Sequence, residues 1–225
     1  MLGHVLRHPA RPAVALIGGV KISTKIKLVK ELAKRYDAVL LGGGLVNPLL
    51  AEQGFEIGAS LTEQGVSQAV KPLLKLKKVF LPVDVVVGIP AKPASLARVV
   101  PIAIDAPSVV CRKQECIGDV GPATILAWAA KIKKAKTIVW NGPLGIAEIP
   151  RFSHGTIALG RLIASRSKGR ALGVVGGGET VEALERTGMA NWVDHVSTGG
   201  GAMLEFLEGK TLPGVKPLYG RAVKH

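Results

Sequence analysis

Six short apolar segments rich in branched side chains recur along the chain: AVALIGG (13–19), AVLLGGG (38–44), VFLPVDVVVG (79–88), TIVWNGP (137–143), LGVVGGG (172–178) and HVSTGGG (195–201). Five of the six run into a glycine turn, and no other feature restricts the fold as much. Runs that are apolar at every position cannot leave one face in water, so they predict strands covered on both sides. The stretches between them carry helical spacing. In STKIKLVKELAKR (23–35), Ile26, Val29, Leu32 and Ala33 share a face while Lys27, Lys30 and Lys34 point elsewhere. In PATILAWAAKIKK (122–134), Pro122 suits a first helical turn, and Ile125, Trp128, Ala129 and Ile132 recur one turn apart.

Strands alternating with helices predict the α/β class: a doubly wound, mostly parallel, Rossmann-like sheet of six strands with helices on both faces. Residues 89–118 hold four prolines and no clean period, so they are expected to form a long irregular connection within one domain spanning 1–225. In such a sheet ligands sit beyond the carboxyl ends of the strands, where these glycines cluster.

Composition narrows the function classes. A hydrophobic share of 48% with 20% charged residues is globular, and no apolar run is long enough for a membrane span. The start MLGHVLRHPARP lacks the features of a secretory signal, which predicts a soluble, cytoplasmic protein without a membrane partner. Cys111 and Cys116 match no zinc spacing and are expected as reduced thiols in a loop. The net charge of +14 favours anions. Aromatics make up only 4% and do not interleave with the basic residues, which argues against nucleic acid and for phosphorylated small molecules. The runs KLKK and KIKKAK suit solvated helix ends. His4, His8, His154, His195 and His225 are scattered and predict no shared site.

Glycine lets backbone N–H groups approach an anion, and a helix starting behind it adds the positive end of its dipole. The run GVVGGGETVEAL (173–184) poses the question sharply, because Glu179 and Thr180 follow the triple glycine. A tight structural turn and a seat for phosphate with its metal both fit. Neither a P-loop nor a G-x-G-x-x-G fingerprint is present.

The motifs GGVKISTK (18–25), LLGGG (40–44), LPVDVVV (81–87), DVGP (119–122), VWNGPLGIAE (139–148), GGGET (176–180) and STGGGAMLEFLEGKTLPGV (197–215) resemble, in order and spacing, the carboxyl-terminal, nucleotide-binding half of the phosphoglycerate kinase family. The resemblance runs from about Arg11 to Val215. It implies a phosphotransferase lobe that binds ATP or ADP with Mg²⁺ in glycolysis. It also implies a role for each matching position. Lys21, at the start of a helix with Lys25, helps neutralise the transferring group, and Lys25 binds nucleotide phosphate. Gly42, Gly43 and Gly44 wall the adenine. Asn141, Gly142 and Pro143 place a rigid loop beside the nucleotide, and Glu148 accepts from the ribose hydroxyls. Gly199, Gly200 and Gly201 hold the phosphoryl group during transfer. Gly177, Gly178 and Thr180 contact phosphate, and position 179 holds magnesium.

The family has Asp where this chain has Glu179, one methylene longer, so a weakened or water-mediated metal contact is expected. Val20 and Pro48 also depart from the pattern. Family members are two-lobed, and their amino-terminal lobe seats 3-phosphoglycerate. That substrate is expected as a partner only where such a lobe is supplied. A monomer is expected, and an inactive nucleotide-binding remnant or a subunit of a split enzyme stands as the alternative.

Overall fold

The structure, a computed structural model, describes residues 5, 8–92, 96–103, 105–197 and 199–210. Strand β1 (Ala13–Ile17) is buried at all its positions, as its unbroken apolar run requires. Helix α1 (Ile26–Arg35) follows and buries Leu28, Val29, Leu32 and Ala33, while Lys34 and Arg35 occupy the last turn, where cations suit the helix dipole. It begins later than the spacing predicts, so Lys21 and Lys25 precede the helix. Next come β2 (Ala38–Leu41), a 3₁₀ turn over Gly43–Val46, α2 (Asn47–Glu52), β3 (Glu56–Ile57), α3 (Ser67–Leu74) and β4 (Val79–Phe80).

The expected strand 79–88 is divided. Pro82 has no N–H to give a ladder and separates β4 from β5 (Asp84–Gly88), which lies in a different sheet. Asp84 is buried at this break. Its carboxylate accepts from the amides of Ala123 at 2.9 Å and Thr124 at 2.7 Å, capping the helix that begins at Pro122.

The stretch 89–118 is also more regular than expected. It contains β6 (Arg98–Pro101), β7 (Val109–Cys111) and the start of β8 (Cys116–Val120). Strands β6, β5 and β8 form an antiparallel three-stranded sheet, and β7 pairs with β3. The Arg98 guanidinium and the Arg112 amide both bind the Glu115 carboxylate in the turn between β7 and β8. Cys111 and Cys116 are therefore buried strand residues rather than loop thiols, and both are free. Burial pushes the Cys111 thiol up to about 11.

The remaining elements are α4 (Pro122–Lys134), β9 (Thr137–Asn141), α5 (His154–Arg166), β10 (Leu172–Gly176), α6 (Gly178–Glu185), β11 (His195–Ser197) and α7 (Gly200–Leu207). The main sheet is wholly parallel, in the order β11-β10-β9-β1-β2-β4. Its two faces carry separate cores. Ala13, Ala15 and Ile17 join Leu28, Leu32 and Leu49 on one side, whereas Val14 and Leu16 join Trp128, Trp140, Leu159 and Ile163 on the other. Each large side chain buried in this way stabilises the fold by about 1.5–3 kcal/mol. The chain winds outward from β1 through β2 and β4 in one direction and from β9 through β10 and β11 in the other. A crevice accordingly opens between the carboxyl ends of β1 and β9.

Among the described residues, no helix is long and apolar enough to cross a membrane. His4, His225, Thr198 and residues 211–225, with the TLPGV motif, lie outside the described residues.

Candidate functional site

Three strand-end turns interlock beneath the crevice through their backbones. The amide of Gly18 donates to the carbonyl of Asn141 and that of Gly19 to Pro143, each at 2.8 Å. Gly43 donates to Leu144 at 2.9 Å, and Leu45 to Gly19 at 3.2 Å. Gly43 is required here: its φ is 64°, and a Cβ would lie 2.8 Å from the carbonyl oxygens of both Gly19 and Pro143.

Lys25 closes the same junction from the side. It is only 8% exposed, and its Nζ donates to the carbonyl of Gly18 at 2.6 Å and to Asn141 Oδ1 at 2.8 Å. Asn141 Nδ2 in turn donates to the carbonyl of Gly176 at 2.7 Å, tying in the end of β10. Burial lowers the Lys25 pKa to about 8, while the charge of Glu179 pulls in the opposite direction.

The β10 turn has structural duties of its own. Gly177 has φ 98° and is a structural necessity, while Gly178 and Glu179 open α6 and face solvent. Thr180 is fully buried, and its Oγ1 accepts from the Gly142 amide at 2.6 Å. Part of its hydrogen-bonding capacity therefore serves the fold.

Above this floor the cleft has two parts that share Gly19, Val20 and Glu179. The first, of about 260 Å³, is mainly apolar: Gly43, Gly44, Pro143 and Leu144 face Ala59, Leu61 and Ile117, and Glu148 stands at its exposed edge. The second, of about 520 Å³, is more polar. Lys21, Lys25, Asn141 and Gly142 lie along it, with Gly177, Gly178 and Thr180 from the β10 turn. Gly200 and Gly201 complete it at the start of α7.

Two of the expected residues do not line either part. Gly42 is buried behind the wall, where a Cβ would meet Leu144 Cδ2 at 2.8 Å, and Gly199 is an exposed residue preceding α7. Other lining residues carry no sequence signal of their own. Asn47 opens α2, and Ala59 and Leu61 sit on the loop between β3 and α3. Asp119, although inside the DVGP motif, reads as an ordinary turn acid. It is 2% exposed and accepts from the amides of Val120 and Gly155, each at 2.8 Å. Burial without a cationic partner pushes its carboxyl up to about 7.

Glu179 is the one expected metal ligand. Among the described residues, no group of three or more His, Cys, Asp or Glu side chains gathers as a metal cage. A single exposed carboxylate facing the cleft fits Mg²⁺ that arrives with phosphates, since phosphate oxygens and retained waters supply the rest of its ligands.

A family model described as phosphoglycerate kinase matches residues 1–210. The phosphoglycerate kinase of Moorella thermoacetica is 40% identical over 222 residues, covering 96% of this chain and 54% of its own length. That of Rhodospirillum centenum is 42% identical over 223 residues, covering 96% and 55%. Among solved structures, phosphoglycerate kinase from Coxiella burnetii superposes with a TM-score of 0.87 at 42% identity, over 98% of this chain and 56% of that one. The Pyrococcus horikoshii phosphoglycerate kinase gives 0.79 at 26% identity, over 97% and 54%. The chain thus spans about half the length of the relatives it matches.

Proposed function

Since this chain belongs to the phosphoglycerate kinase family, we propose that its two-part cleft is the nucleotide seat of that kinase, holding ATP or ADP with Mg²⁺. The observation that carries the reading is the partition itself, an apolar slot joined to a polar trough at the sheet's switch point. A nucleoside diphosphate has the same division. Its base would lie against Gly43, Gly44 and Leu144, and its ribose hydroxyls would donate to Glu148. Its phosphates would pass Val20 into the trough, where Lys21, Lys25 and the amides opening α6 and α7 supply positive charge.

In the family reaction, a carboxylate oxygen of 3-phosphoglycerate bonds to the γ-phosphorus of ATP as the bond to the β-phosphate oxygen breaks and ADP leaves. This chain's part in that exchange is positioning and charge stabilisation. Lys21 is exposed and free to follow the transferring group, while Lys25 is fixed between Gly18 and Asn141 beside the phosphates. Gly200 and Gly201 would present amides to the phosphoryl group. Mg²⁺, held by Glu179 and the phosphates, would neutralise charge on their oxygens. The acceptor substrate would need a second lobe.

Calorimetry on the chain should give saturable 1:1 binding of MgADP that is lost in Lys25→Ala. Absence of heat at millimolar nucleotide would refute the reading. Glu179 in the family's Asp position favours a second reading, a nucleotide-binding remnant or split-enzyme subunit without turnover of its own. Measurable 3-phosphoglycerate-dependent turnover by the isolated chain would exclude that alternative.

A further inference from the structure

Helix α1 lacks an N-terminal cap of its own: Lys25 makes no side-chain cap bond, and the first turn contains no acid. The acid comes from 40 residues further along the chain. Ser23 N–H donates to Glu63 Oε2 at 2.9 Å, and Ser23 Oγ donates to Oε1 at 2.5 Å. One carboxylate thus takes both donors of a residue lying between Lys21 and Lys25, with Lys21 inside its electrostatic reach.

The two segments joined by this clasp wall different parts of the cleft. Ala59 and Leu61 line the apolar slot, whereas Lys21, Thr24 and Lys25 line the polar trough. The slot wall has anchors of its own. Ser60 Oγ donates to the Ile57 carbonyl at 2.5 Å and accepts from the Ile117 amide at 2.9 Å, and Asn47 Nδ2 donates to the Leu61 carbonyl at 2.9 Å. The stretch 21–24 is anchored on its inner side by the fully buried Ile22 and has fewer ties on its outer side. Ser23 and Thr24 are exposed, and the Thr24 hydroxyl donates only locally, to the Lys21 carbonyl.

We infer that Glu63 is a positioning residue: by clasping Ser23 it holds the segment that bears Lys21 at a fixed distance from the base wall, Lys25 having bonds of its own to Gly18 and Asn141, so that base and phosphates engage together. The inference rests on the nucleotide reading of the cleft. Without the clasp, the segment must be ordered when the phosphates bind, and affinity for the phosphate end falls. The slot keeps its own anchors, so affinity for the nucleoside end is retained.

Calorimetry with MgADP, and competition with adenosine, on the wild-type chain, Glu63→Gln, Ser23→Ala and the double variant tests this. Glu63→Gln should weaken MgADP about tenfold, the equivalent of one charge-assisted hydrogen bond, and leave adenosine unchanged. Ser23→Ala should cost less in the Glu63→Gln background than alone. Unchanged MgADP affinity in Glu63→Gln, equal weakening of MgADP and adenosine, or additive losses would overturn the clasp while leaving the nucleotide reading intact. Failure of the wild-type chain to bind MgADP would overturn both.

Discussion

Lys25 should make nucleotide binding a proton-uptake reaction in alkaline solution. The ammonium is buried between Gly18 and Asn141, and its pKa stands at about 8 against an ordinary 10.5. A lowered lysine pKa means that the empty site sheds the proton early. Phosphates arriving beside it favour the charged form and draw the value back up. If they restore it to 10.5, linkage gives uptake of about 0.5 proton per MgADP at pH 8 and about 0.9 at pH 9. The same shift weakens binding on the order of tenfold between pH 8 and pH 9.5. Below the lowered value Lys25 is charged in both states, so its uptake fades towards neutrality. Calorimetry at pH 9 in buffers of different ionisation enthalpy measures the uptake directly. Lys25→Met should bind weakly at pH 8 and show no buffer dependence. Uptake that survives in Lys25→Met, or affinity flat from pH 8 to pH 9.5 in the wild-type chain, would refute the reasoning.

Glu179→Asp should tighten MgADP by on the order of 1 kcal/mol while leaving metal-free ADP unchanged, because charge is kept and only the reach to the ion changes. Calorimetry across a magnesium titration checks this. Gly43→Ala should destabilise the fold by about 1–3 kcal/mol and abolish MgADP binding, since its left-handed φ and the carbonyls of Gly19 and Pro143 leave no room for a methyl; denaturant melts and titration measure the two effects. Asp119 carries its carboxyl at about 7 when folded against an ordinary 3.8, so the stability linked to its proton is complete below 3.8 and is lost as pH rises to about 7. Thermal melts at pH 5 and pH 7.5 should therefore differ less for Asp119→Asn than for the wild-type chain.

The main sheet was legible because its strands are apolar on both faces and its turns are marked by glycine, two signals that reinforce each other locally. The division at Pro82 was written in the sequence but outweighed by the valines on either side of it. Strands β6 to β8 are short, and Pro101 and Pro107 interrupt the first of them and its connection to the second, so periodicity had too few residues to act on. Most of the candidate site could be read from its glycine turns. The burial of Lys25 could not, because an isolated lysine reads as exposed charge, and its acceptors lie 7 and 116 residues away. Glu63 and Asp119 were opaque for the same reason: each acts on donors that only the fold brings near, Ser23 and Gly155.

The interlocked strand-end turns also determine which parts of the cleft can breathe. Amides of Gly18, Gly19 and Gly43 are held by carbonyls of neighbouring central turns, so exposing them to solvent means prising apart β1, β2 and β9, the middle of the sheet. Their hydrogen exchange should therefore follow global unfolding, whereas the exposed Ser23 and Thr24 should exchange without it. Ligand entry then costs the floor nothing in rearrangement. Any closing motion falls to the segments above it, and a destabilising lesion in the central strands removes the site and the fold in the same step.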